Sequence, residues 1–487
     1  MGDEKRAGIE MDFRFGKSNR QGPRPDAEVP LRMLVIADFG GHSGQGEVRT
    51  GALLRPRRVN IESLPSICTA LAPQVRIGLG DREPFTIAFG DLDEFHPDHL
   101  YASLDLFAPM RELRRQIQNP QTFAAAAARL GAADRAASAS PAAASTEGSD
   151  IQRLLGRAPA TADQGVAPVS PTSVVDSMIR QALASHITAK ADPRQADLLA
   201  VVDQTSAGLM RAILHDPAFQ SVEAVWRGLD FLVRSLEVEE DVEVFVVDVS
   251  LEEMGAAFAA SATLEETELF RLLADSDADA PWSLLVSLAP YRPTASHAAL
   301  LARLGAIAQV GGAALLAGMG WAAWTAGFAA TADQQAWREL RGSACAASVG
   351  IALPRMLLRL PYGKKSDPVE QFNFEEQPPA DAYLWGSGAL ACAALIGKSF
   401  GDAGGWDFSP GDIDSVDELP VPVVQKDGES VQMPSAEAWL PENKIDAIIR
   451  EGFMPLVPTR GRGSARLPRF QSIASPAAPL AGRWRSV

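Results

Sequence analysis

A helix that runs directly into a strand with no polar face constrains this chain more than any other stretch. It lies at residues 215–250, HDPAFQSVEAVWRGLDFLVRSLEVEEDVEVFVVDVS. Asp216 suits an N-cap and Pro217 the first helical turn. Phe219, Val222, Val225, Trp226, Leu229, Leu232, Val233 and Leu236 then recur at steps of three and four, which predicts one apolar helix face. Val242 to Val249 follows as a β-branched run around Phe245, the pattern of a strand buried on both sides. Ser250 and Glu253 have the spacing of a capping box that opens the next helix. The stretch is scaffolding, with no nucleophile, base or ligand set.

With 487 residues and 46% hydrophobic composition, the chain has material for more than one core. Lys and Arg number 45 against 61 Asp and Glu, and the resulting charge of -16 opposes binding to nucleic acid or an anionic membrane, both polyanions. Cys68, Cys345 and Cys392 are widely spaced in apolar contexts, which argues against a disulfide framework or zinc site and fits a reducing cytoplasm. The opening MGDEKRAGIE has no secretory core, so the protein is expected to stay in the cytoplasm. The apolar run at 298–330 is broken by Arg303, Gln309 and the pair Gly311-Gly312, and it reads as buried helix, turn and strand rather than a membrane span.

In chain order, Met11, Phe13 and Phe15 alternate with Asp12 and Arg14 as a short strand at the end of a Gly/Pro-rich arm, residues 1–30. Such a strand is placed to pair with another chain's sheet edge. Arg32 to Asp38 reads as a parallel-sheet strand, followed by the glycine-rich turn from Gly40 to Gly46. That turn lacks the Lys-Ser/Thr closure of a phosphate loop, so nucleotide binding is not expected. Val75–Leu79 and Phe85–Phe89 are further strands, and helices are expected from about Pro97, Pro109 and Gln121, the last ending at Gly131 as a C-cap. A first α/β domain thus spans 31–131.

Residues 132–172 are rich in Ala, Ser, Pro and Thr and read as a linker. A second α/β domain spans 173–472, opening with the amphipathic helix of Val174, Val175, Met178, Ile179, Ala182 and Leu183. That helix either docks into a partner's groove or packs on its own domain. Alternating helices and strands, including Trp282 to Leu288, predict a mixed, mostly doubly wound sheet with helices on its faces. Acidic residues stop after Glu451, and 473–487 reads as a basic tail, solvated or in contact with an acidic neighbour.

Chemistry-bearing sets do not assemble from spacing alone. His96 and His99 lack a third ligand nearby, and His215 and His297 suit capping or core roles. Lys364 and Lys365 lack a phosphate cradle. Glu375 and Glu376 are adjacent, so they point apart and cannot act as a carboxylate pair. No catalytic residue, cofactor site or metal site is assigned.

Two long motifs carry a resemblance. The run His215, Pro217, Phe219, Gln220, Glu223, Trp226, Arg227, Gly228, Leu229 resembles the hallmark of the large contractile-sheath subunit of bacterial type VI secretion, the TssC/VipB/ImpC family. LPRMLLRLPYGKKSDPVEQFNFEE supplies Arg359, Leu360, Pro361, Tyr362, Gly363, Pro368, Val369, Glu370 and Phe372, and YLWGSGA adds Trp385 and Gly386. GFMPLVP and FQS are similar to later parts of the same subunit. Residues 11–131 resemble the small subunit, the TssB/VipA/ImpB family, so the resemblance implies a natural fusion of both.

The resemblance implies a non-enzymatic sheath protomer. It would stack with other protomers around an Hcp-type inner tube on a baseplate and contract to drive that tube and its effectors outward. It implies that Met11 to Phe15 is a donated inter-protomer strand, and that 174–183 corresponds to the segment gripped by a ClpV-type AAA+ recycling ATPase. The family's large subunits extend further beyond the position of Ser472 than this sequence does. Two expectations follow: a polymerising sheath subunit, or a non-polymerising accessory or capping homologue that binds sheath or baseplate.

Overall fold

The computed structural model describes residues 29–43, 49, 54–80, 83–138, 192, 194–236, 241–274, 281–426 and 428–484. The arm strand 11–15 and the helix 174–183 lie outside the described residues. Before the compositional linker come β1 (Leu31–Ala37), β2 (Arg57–Val59), α1 (Leu64–Leu71), β3 (Gln74–Ile77), β4 (Phe85–Ala88), α2 (Pro97–Ser103), α3 (Ala108–Gln118) and α4 (Phe123–Ser138). After it come α5 (Arg194–Leu214), α6 (Pro217–Leu236), β5 (Val242–Asp248), α7 (Leu251–Ala260), α8 (Glu268–Ala274), β6 (Leu284–Tyr291), α9 (Ala295–Gly311) and β7 (Ala314–Met319). The chain continues through α10 (Trp321–Ala326), α11 (Thr331–Gly342), β8 (Val349–Leu353), β9 (Met356–Leu357), β10 (Trp385–Gly386) and α12 (Gly388–Ala403). Then follow β11 (Ser415–Val416), β12 (Val423–Lys426), β13 (Glu429–Gln432), α13 (Glu442–Arg450), β14 (Met454–Pro455), β15 (Val457–Pro458) and β16 (Ala465–Arg466).

The main sheet has seven strands in the order β14-β8-β7-β6-β1-β5-β2. All its pairings are parallel except β2 with β5. Strand β1 sits inside it: Leu31–Ala37 pairs residue by residue with Val242–Asp248, and Met33–Ile36 pairs with Leu284–Ser287. Met33 and Val35 face one core, with α6 and α12, while Leu34 and Ile36 face the other, with α7, α8 and α9. Burial on both sides explains why neither β1 nor β5 has a polar face.

The linear division into domains is therefore not a division of the sheet. Composition marks 132–172, but the strand before it completes the sheet of the segment after it. Only β3 and β4 form an antiparallel pair of their own before the linker. The run at 298–330 folds as expected into α9, a left-handed Gly312 cap, and β7, with α10 beyond. No helix of the described residues is long and apolar enough to cross a membrane.

Two expectations are corrected. Helix α4 does not stop at Gly131 but runs to Ser138. The alanines around that glycine favour helix enough to offset its cost of about 1 kcal/mol. The segment 473–484 is not a solvated tail: Leu480 and Trp484 are buried, and Trp484 packs beside Phe408 with ring centroids 6.0 Å apart. Backbone hydrogen bonds from Ile473 to Val349, Ser475 to Arg341 and Ala481 to Ala347 hold it against β8 and its flanks. Its two apolar anchors outweigh the arginines, and Arg483 itself donates to the Gly311 carbonyl at 3.2 Å.

Candidate functional site: a buried ion network

Helix α6 positions most of the first signature. Asp216 caps it, accepting from the Ala218 amide at 2.9 Å, and Pro217 is its first residue. Each motif side chain then reaches a different element. Phe219 meets Phe89 and Phe95 edge-on at 5.8 and 5.7 Å. Gln220 donates to the Ala382 carbonyl at 2.7 Å. The Trp226 indole is buried and donates to the Phe39 carbonyl at 3.0 Å, fixing the exit of β1. At Gly228 a Cβ would lie 2.6 Å from Leu390 Cδ1, so the missing side chain is what lets α12 approach. Leu229 is fully buried in the same core.

The charged members converge. Glu223 is completely buried, and Arg359 binds it through two nitrogens, Nε to Oε1 at 2.7 Å and Nη2 to Oε2 at 3.2 Å. The same guanidinium reaches Glu376 at 2.7 and 3.3 Å. Arg227 donates to Glu223 at 2.7 Å and to the Tyr362 hydroxyl at 2.8 Å. The Tyr362 amide donates to Glu376 at 2.8 Å, and the Arg359 guanidinium lies 4.1 Å from the Tyr362 ring centroid. His215 Nε2 stands 3.5 Å from Glu376. Two carboxylates and two guanidiniums thus balance in a nearly dry space, the arrangement that buried charge requires.

The electrostatics follow from that balance. Burial works against the charge of Arg359, but Glu223, Tyr362 and Glu376 outweigh it and hold the guanidinium well above its ordinary value. Burial likewise pushes the Glu376 carboxyl up, yet Arg359, His215 and the Tyr362 amide bring it down to about 2. Burial raises the Tyr362 hydroxyl, so it stays protonated. The oxygens of Glu223 and Glu376 are taken by cations, a hydroxyl or amides, so the network holds elements together.

The rest of the second signature extends this joint. Leu360 accepts from Arg359 at 3.2 Å, and Pro361 accepts from the Ser366 hydroxyl. The Gly363 amide donates to the Asp367 carbonyl at 2.9 Å. Pro368 is exposed, and Val369 packs partly buried on the core. Glu370 and Gln371 donate their amides to Asp98 of α2 at 3.0 Å, so this loop also grips the segment before the linker. Phe372 stacks on Tyr101 of α2, centroids 4.5 Å apart. Trp385 and Gly386 form β10 against β9. Glu375 turns from Glu376 toward the Lys364 amide, as adjacency required.

A second polar group lies at the carboxyl ends of β1 and β5. Asp38, His42 and Asp248 each offer a ligand atom, all within 4.8 Å of one another. Sequence reasoning did not assemble this trio, because Asp248 joins it only through the β1–β5 pairing; the glycine-rich turn after β1 was the available signal.

The family described as "EvpB/VC_A0108, tail sheath N-terminal domain" (VipB) matches residues 196–474. A similar protein is the "Type VI secretion system sheath protein TssC1" of Pseudomonas aeruginosa, 28% identical over 306 residues covering 58% of this chain. The chain spans about three-fifths of that relative, 61% of its length. Among solved structures, the cryo-EM structure of the anti-feeding prophage baseplate covers 51% of this chain and 49% of its own at 15% identity. Its TM-score is 0.27.

Proposed function

The chain belongs to the tail sheath N-terminal domain family, and from that membership we propose that it is a structural subunit of a type VI secretion contractile sheath. The observation that carries the reading is the family match over 196–474, the stretch that holds β5 to β8, β14 and both signatures. In this reading protomers stack around an Hcp-type inner tube on a baseplate in the bacterial cytoplasm. They store strain in their contacts and contract to propel the tube with its effectors. A joint of paired charges inside a close-packed body suits this work, since a rigid protomer transmits displacement to its neighbours instead of absorbing it.

The reading extends to a fusion, in which 31–131 takes the part of the small sheath subunit and 173–472 that of the large one. The insertion of β1 between β5 and β6 supports it, because two such parts would have to form one intertwined body. Covalent joining fixes their ratio and raises their effective concentration. Met11 to Phe15 would be the strand donated to a neighbouring protomer, and 174–183 the segment offered to a ClpV-type recycling ATPase. Negative-stain imaging of the purified chain tests the proposal. Tubules or cogwheel-like rings are expected; only small particles across a range of salt would favour an accessory or capping homologue instead.

A further inference from the structure

The chain leaves β1 toward the core that contains α6, and leaves β5 toward the opposite core, through α7. Farther on, the connection from β1 crosses to the α7 side, where the Leu54 amide donates to Glu268 at 3.0 Å and its side chain packs on that core, so the turn after β1 lies over the end of β5. Asp38 follows β1 and Asp248 ends β5, so two carboxylates stand side by side at the carboxyl end of the sheet. The turn that follows β1 bends back over it. Gly41 has φ +72°, and a Cβ there would lie 2.1 Å from the Gln74 carbonyl, so glycine permits the bend. The turn brings His42 Nε2 to 2.9 Å from Asp248 Oδ2.

The carboxylates are already aimed. Asp38 accepts the His42 and Ser43 amides at 2.7 Å each, and Asp248 accepts the Gly40 amide at 2.9 Å. These bonds fix the orientation of both groups. Glu253 and Glu252 stand beside the trio, Glu252 accepting from the Ser43 hydroxyl at 3.2 Å. Against these four carboxylates stands one arginine among the described residues, Arg49. It touches Asp248 at 3.2 Å but holds Glu253 more closely, at 2.5 and 3.1 Å, and so keeps a partner if it yields Asp248. The His42 side chain is a quarter exposed, which leaves a path from solvent.

We propose that Asp38, His42 and Asp248 form a binding site for a borderline divalent cation of the Zn²⁺ type, with water completing the coordination. One imidazole and two carboxylates are ligands such an ion accepts, and three ligand atoms within 4.8 Å come to about 2.0–2.2 Å from one ion with small side-chain rotations. The bound ion ties the turn after β1 to the end of β5.

Equilibrium dialysis of the full chain against Zn²⁺ alone, with bound metal measured by mass spectrometry, tests the site. One equivalent is expected, with affinity falling at least about tenfold in His42→Gln and in Asp248→Asn, and unchanged in the control His99→Gln, an exposed histidine outside the trio. No uptake by the wild-type chain at millimolar Zn²⁺, or equal uptake by folded variants, overturns the assignment. If both variants fail to fold, Asp38→Asn takes their place, and uptake equal to that of the wild type overturns the assignment. Co²⁺ should give visible absorption bands of a histidine-carboxylate site that Zn²⁺ abolishes, and their absence overturns the proposal.

Discussion

Arg359 spans Glu223 and Glu376, 2.7 Å from each, and thereby joins helix α6 to the loop that carries the second signature. Because Glu223 is completely buried, removing it strands a charge instead of merely losing a contact. Glu223→Ala is expected to lower stability by about 3–5 kcal/mol, read by denaturant unfolding of the full chain. A loss below about 1 kcal/mol would mean that solvent reaches the site and the network is not a joint.

Acid should loosen the same joint. Glu376 is held at about 2, below its ordinary 4.5, so its contribution is fully present above pH 4.5 and is lost as pH falls from there through about 2. The stability difference between wild type and Glu376→Gln should therefore be largest near neutral pH and shrink across that window. A difference that is constant with pH would refute the assignment of this carboxylate as charged.

Trp226→Phe keeps most of the ring volume but leaves the Phe39 carbonyl without its indole donor. The expected cost is about 1–3 kcal/mol. Hydrogen exchange should also quicken at the exit of β1; unchanged exchange there would show that the bond does not fix that segment.

Gly41→Ala should be costly although the side chain is small. The left-handed conformation alone disfavours alanine by about 1–2 kcal/mol, and the added carbon would also meet the Gln74 carbonyl. Thermal unfolding should show a clear drop in Tm, whereas Gly78→Ala, with open space around it, should show little.

Deletion of residues 1–16 is expected to leave a folded, soluble protomer and to abolish assembly. Circular dichroism reports the first and negative-stain imaging the second. Tubules of normal length from the deleted chain would remove the arm from the assembly mechanism.

The sequence made α6 and β5 readable because their patterns are local: apolar residues at helical spacing, then a valine-rich run around Phe245. The Ser250–Glu253 capping box was legible for the same reason and is present in the structure. The ion network was visible only as two separate motifs, since Glu223 and Arg359 are 136 residues apart and no spacing rule connects them. The trio at Asp38 was hidden likewise, because the register of β1 against β5 assembles it. The docked end at Leu480 and Trp484 was missed because arginines dominated the composition, while two apolar side chains decide its position.

The central place of β1 also sets a schedule for biosynthesis. About 200 residues separate its end from the start of β5, so a ribosome adding roughly 5–20 residues per second exposes β1 for about 10–40 s before its first parallel neighbour is made. A seven-residue strand with six apolar residues spread over both faces is an aggregation hazard for that interval. Nascent chains of this protein should therefore depend on a holding chaperone until β5 emerges, and slowing translation between the two strands should lower the soluble yield.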